Sequence, residues 1–230
     1  MTNPDNVPAL GEGLFAQAPI RSPRSAAVAG IIFSILIAAS MFLTANVANA
    51  SPEDFNGELL EANAEVVEWG IKLVPFAGIA FLWFTGVIRD RLGDREDRFF
   101  ATIFLGSGIL FVAMLFVEVA VMGAIFGSYA LADELLVDNY IYIFGASFAR
   151  QILSNFTLRM AGVYMLSIAS LWTRGRVMPR WANFITFILA IGFLFFASSI
   201  REARFLFPAW VFVTSVYILI TNRRLGSREA

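Results

Sequence analysis

Four ionisable residues interrupt stretches that are otherwise apolar: Glu68, Lys72, Glu118 and Arg159. A charge inside a membrane span is costly unless it pairs or borders water, so each is a candidate for handling an ion, a substrate or a bound ligand. Their spacing groups them. Glu58, Glu61, Glu65, Glu68 and Lys72 recur at steps of three and four, which makes one stripe along a helix. Ser147, Gln151, Asn155 and Arg159 recur every fourth residue and make a second stripe. Glu118 stands alone among Phe111, Met114, Leu115 and Met122. The expectation is an outward-facing polar cavity whose wall or floor carries Glu68, Lys72, Glu118 and Arg159, with Gln151 and Asn155 beside them. The competing reading has the same groups pairing with one another and holding helices in register.

Other chemistry is excluded by residue type. The chain has no cysteine, so disulfides, thiolate nucleophiles and thiolate metal ligands are absent. It has no histidine, the commonest general base and the usual transition-metal ligand. No GxSxG, Walker loop or metal-ligand spacing is present. Neither catalysis nor a metal or cofactor is expected. A net charge of −1 offers no field for nucleic acid.

The elements that position the four residues follow from composition. Of 230 residues, 58% are hydrophobic and only 15% charged, and the mean hydropathy is +0.71. A soluble domain carries more charge. A bilayer core of about 30 Å needs about 20 apolar residues per helix. Six stretches meet this need, near 26–48, 66–88, 99–126, 143–172, 181–200 and 205–221. The expected fold is an all-α, polytopic membrane bundle over 25–222, with a disordered tail at 1–24 and a short basic tail at 223–230. At about 1.5 Å per residue, Glu68 and Glu118 lie about 28 Å from the inner ends of their spans, Lys72 about 23 Å and Arg159 about 20 Å. All four therefore fall in the outer half.

The stretch 89–98 sets the orientation. Arg89, Arg91, Arg95 and Arg98 lie there, interleaved with Asp90, Asp94, Glu96 and Asp97. Arg174, Arg176 and Arg180 follow span four, and Arg223, Arg224 and Arg228 follow span six. With Arg21 and Arg24, all fall on one side of a six-span chain, and positive residues mark cytosolic loops. The segments 51–65 and 133–138 carry acids and no bases. Both termini are expected in the cytosol. The charged loop is either a short self-neutralising turn, with Asp94 and Arg98 paired four apart, or a docking site for a cytosolic partner built on Arg89, Asp90, Arg91, Asp94, Arg95 and Arg98.

Smaller features add detail. Ala48-Asn49-Ala50 fits a signal-peptidase site, but the apolar stretch before it exceeds the usual h-region of about 7–15 residues, which favours a retained first helix. Ser51 can cap a new helix, with Pro52 at its first position. Segment 51–65 then lies on the outer surface or extends span two. Gly106, Gly108, Gly162 and the pair Gly123 and Gly127 permit close helix approach. The tryptophans are expected near the interfaces, Pro75 within span two and Pro208 in the first turn of span six.

Two segments, 73–116 ("LVPFAGIAFLWFTGVIRDRLGDREDRFFATIFLGSGILFVAMLF") and 159–181 ("RMAGVYMLSIASLWTRGRVMPRW"), resemble blocks in a family of bacterial, actinobacterial-type integral membrane proteins without assigned activity. The resemblance implies a six-helix protein of the bacterial plasma membrane. It brings no substrate and no catalytic residue. The expected partners are the lipid bilayer and either another protein or a second copy of the chain. Two functions stand foremost: an accessory or structural membrane component, or a transporter or binding protein for a small molecule, ion or lipid; a third, an intramembrane enzyme, is disfavoured by the missing histidine, cysteine and catalytic motifs.

Overall fold

The computed structural model describes residues 23–48, 57–92, 98–131, 139–175, 178–197 and 203–226. All are helical apart from the short turn before α6 and Ala197 after it. The helices are α1 (Pro23–Ala48), α2 (Gly57–Leu92), α3 (Arg98–Leu131), α4 (Asn139–Gln151), α5 (Leu158–Gly175), α6 (Arg180–Phe196) and α7 (Ala203–Gly226). A π-helical turn, Ile152–Thr157, joins α4 to α5 without a break, so the described residues make six helical rods. Inside hydrocarbon no water serves the backbone, and a helix satisfies its own N–H and C=O groups. Five rods are long and apolar enough to cross a bilayer. The sixth, α6, has 17 residues, about 25 Å at 1.5 Å per residue. This is the construction of a multi-pass membrane protein.

Expected boundaries shift at several ends. The rod of α2 is continuous from Gly57, so the described part of the acidic segment, 57–65, continues span two as one helix. The proposed cap at Ser51 lies outside the described residues, as do 1–22 of the tail and Asp94 and Arg95 of the charged loop. At the C-terminal end the apolar span closes at Thr221 and the helix of α7 runs on to Gly226. Pro208 is not in its first turn but is the sixth residue of α7. There it lacks the N–H that would bond the carbonyl of Arg204, four residues back. Pro75 does the same to Ile71 within α2.

Helices α1, α2, α3, α5 and α7 close into a ring, and α6 packs outside against α5. Lipid tails give little hydrophobic drive for this association, so dispersion, close approach and hydrogen bonds must supply it. Aromatic rings do much of the packing. Phe81 of α2 meets Phe33 of α1 at 5.0 Å between ring centroids, Phe111 of α3 at 5.0 Å, Tyr164 of α5 at 5.1 Å and Phe207 of α7 at 5.7 Å. The angles between these rings, from 49° to 61°, avoid face-to-face repulsion of the π quadrupoles. The buried Tyr164 hydroxyl shares a hydrogen bond of 3.1 Å with Thr85 Oγ1, which keeps a polar tip satisfied in the apolar core.

Small residues let the rods approach. Gly30 and Gly162 sit against neighbouring helices, and Gly108 lies beneath the Tyr164 ring. Among the described residues Gly106, Gly123 and Gly127 face open space, and no helix approaches Gly123 and Gly127 closely there. The tryptophans divide. Trp69, Trp83 and Trp181 are exposed on the bundle surface, whereas Trp172 and Trp210 are buried and pack together at 5.9 Å. Trp210 Nε1 donates to Thr186 Oγ1 at 3.0 Å, tying α7 to α6.

Candidate functional site

The intramembrane polar residues occupy three separate places. The first is the surface of α2. Glu68 and Lys72 pair four residues apart, with 62% and 54% of their side chains exposed, and Lys72 Nζ also lies 5.4 Å from the Trp69 ring. They turn away from the bundle interior. The described members of their stripe, Glu65, Glu68 and Lys72, lie on an outer face of α2.

The second place is the π turn. A π turn holds one more residue than an α turn and commonly marks a functional or strained position. The Leu158 N–H reaches back five residues to the Leu153 carbonyl, and Thr157 Oγ1 donates to the Ile152 carbonyl at 3.1 Å. The polar stripe expected on span four converges here. Asn155 Nδ2 donates to Gln151 Oε1. Arg159 Nη1 donates to Asn155 Oδ1 at 2.7 Å and to the Asn155 carbonyl at 2.9 Å. Arg159 Nε donates to the Leu194 carbonyl at 3.2 Å. Leu194 is in the last turn of α6, where helix carbonyls have no partner of their own. A cation at that end also complements the helix dipole. Gln151, Asn155 and Arg159 therefore form one hydrogen-bonded chain that fastens α5 to α6.

At its other end α6 is held in the same manner. Pro179 is extended, with φ −63° and ψ 149°, and its carbonyl accepts from the Ala182 and Asn183 N–H groups. Asn183 Nδ2 then donates to Thr173 Oγ1 on α5 at 3.0 Å.

Glu118 defines the third place. It lines a cavity of about 100 Å³ set among α1, α2, α3, the π turn and the first turn of α7. Ser40, Thr44 and Arg204 are its other polar residues, and Leu115, Val119 and Met122 continue the α3 wall. Neither Glu68, Lys72 nor Arg159 lines it. Arg204 and Glu118 line it together, a base and an acid. The juxtaposition has a local consequence. A cation in the first turn of a helix opposes the positive end of the helix dipole, and a nearby carboxylate offsets that opposition.

The structure thus does not bring the four expected residues together. Glu118 meets Arg204, a residue that the reading of the sequence left at the edge of the last span. Its signal is faint: an arginine one position before an apolar run reads as an interfacial anchor. Only the start of α7 at Ala203, folded against α1 and α3, turns it inward. Of the charged loop, Arg89, Asp90 and Arg91 end α2 and Arg98 begins α3. Among the described residues no group of three acidic side chains is placed to hold a metal ion.

The fold defines an apolar helical bundle of the multi-pass membrane class. Comparisons with family models, curated proteins and solved structures found no match to the chain.

Proposed function

We propose that this chain is an accessory or structural component of the bacterial plasma membrane, crossing it six times with both termini in the cytosol. One observation carries the reading: the hydrogen-bonded chain of Gln151, Asn155, Arg159 and the Leu194 carbonyl spends its polar groups on joining two helices. Polar side chains commonly serve membrane bundles in this manner. The charged loop between α2 and α3 is the face offered to a cytosolic partner. Its arginines set the orientation, and the acids that the orientation rule does not need give it a mixed pattern for recognition.

Arg159→Ala tests the helix-joining role. The variant leaves the α6 carbonyl and Asn155 without their donor, and the thermal midpoint in mild detergent falls, by a stability loss of about 1–2 kcal/mol. Arg159→Lys restores little, because an ammonium cannot span the same acceptors in a planar fork. Glu68→Gln and Lys72→Met leave the midpoint unchanged, as an exposed pair contributes little. Full stability in Arg159→Ala with loss of solute uptake would favour transport instead. For the partner, scrambling 89–98 with its arginines kept removes a co-purifying protein without changing topology. Unaltered co-purification would remove the docking role.

A further inference from the structure

The helix-joining role leaves one buried acceptor unused. Glu118 Oε2 is buried and has no hydrogen-bond partner among the described residues. A buried carboxylate oxygen without a donor is expensive, so the cavity it lines calls for one. The rest of that cavity restricts what the donor can be.

Charge is the first restriction. Glu118 and Arg204 line this cavity together, an acid beside a base. A cation or an anion entering this apolar wall of Ile37, Val67, Val74, Leu115 and Val119 would bring an uncompensated charge, whose desolvation is not repaid. The occupant is therefore neutral. Size is the second restriction. A cavity of about 150 Å³ accepts benzene, with six non-hydrogen atoms, so by proportion about 100 Å³ accepts about four. Polarity is the third. Thr44 Oγ1 gives its proton to the Ser40 carbonyl, at 2.9 Å, and keeps lone pairs to accept with. The Ser40 hydroxyl can donate as well as accept. A molecule with an N–H₂ group and a carbonyl fits acceptors and donor together.

We infer that the cavity between α1, α2 and α3 binds a small uncharged amide, of about four non-hydrogen atoms, that donates a hydrogen bond to Glu118 Oε2. This goes beyond the helix-joining role, which the Arg159 network serves elsewhere in the bundle. So small a ligand binds weakly, with a dissociation constant no tighter than about 10–100 µM.

The test uses the full chain in lipid nanodiscs and saturation-transfer NMR with acetamide as the probe. Acetate and methylammonium serve as charged comparators, and empty nanodiscs as the blank. Acetamide receives saturation from the wild-type protein and saturates at millimolar concentration or below, while the charged comparators do not. Val119→Phe fills the cavity without touching Glu118 and weakens acetamide binding at least tenfold. Val119→Ile, a milder filling, weakens it less and serves if the larger residue prevents folding. Three results would overturn the inference: no transfer to acetamide, as for a cavity that holds only water; transfer that both fillings leave unchanged; or stronger transfer to acetate or methylammonium.

Discussion

The Tyr164 hydroxyl shows how much a single polar atom matters in an apolar core. The ring is fully buried and touches Phe81, Phe104 and Phe207, and its hydroxyl has Thr85 as partner. Thr85→Val keeps the shape and removes the partner, so stability falls by about 1 kcal/mol. Tyr164→Phe costs a similar amount. The double variant costs less than the sum, because neither polar atom is then stranded. Thermal midpoints of the four proteins in one detergent measure the coupling, and strict additivity would show that the two hydroxyls do not cooperate. At this same scale the polar residues of the sequence were legible as kinds and not as partners. Every fourth residue from Gln151 to Arg159 signalled one face, and they do bond along it. Nothing in the order of residues indicated that Glu118 would meet Arg204, 86 positions away.

Helix contacts turn on where side chains are missing. A Cβ on Gly30 would meet Ser215 Oγ of α7 and lie 2.9 Å from the buried Phe84 ring of α2. Gly30→Ala therefore forces α1 away from two neighbours and costs about 1–3 kcal/mol. Gly123→Ala and Gly127→Ala meet nothing among the described residues and stabilise α3 by up to about 1 kcal/mol each, since alanine is the better helix residue. Unfolding midpoints of the purified variants separate the two classes, and a loss at Gly123 or Gly127 would point to a contact beyond this chain. The π turn belongs to this scale too. Periodicity suggested one uninterrupted rod, and the extra residue appears only where Thr157 and Leu158 bond five residues back.

Across the whole molecule, the ring of five rods places α1 against α2 and α7. A chain cleaved after Ala50 would lose Phe33 from the aromatic centre and Ser34, which donates to the Pro208 carbonyl at 3.0 Å. The mature protein is accordingly expected to keep its first helix, and intact mass after gentle extraction reads this directly. The absence of native cysteine makes topology equally accessible. Single cysteines placed at 94 and 228 are expected to label only after the cytosolic face is opened, and those at 56 and 135 from outside in intact cells. Labelling of 94 and 228 from opposite sides would remove the six-crossing arrangement, leaving α6 as the rod that does not cross.

Class, rods and distribution of charge were available from the sequence by itself, because hydrocarbon demands long apolar helices and arginine distribution orients them. These properties are local, and summing residues along the chain is enough to obtain them. Tertiary structure alone decided which face of each rod turns inward. Glu68 and Lys72 of α2 looked like part of a site and lie on an outer face of the bundle. Arg204 lies just outside the expected last span and lines a cavity. The physical reason lies in the weakness of the hydrophobic signal between helices in a membrane. With apolar residues on every side of a rod, its inner face is set by close fit, through Gly30, Phe81 and Tyr164, and by the polar atoms that find partners only when the rods meet.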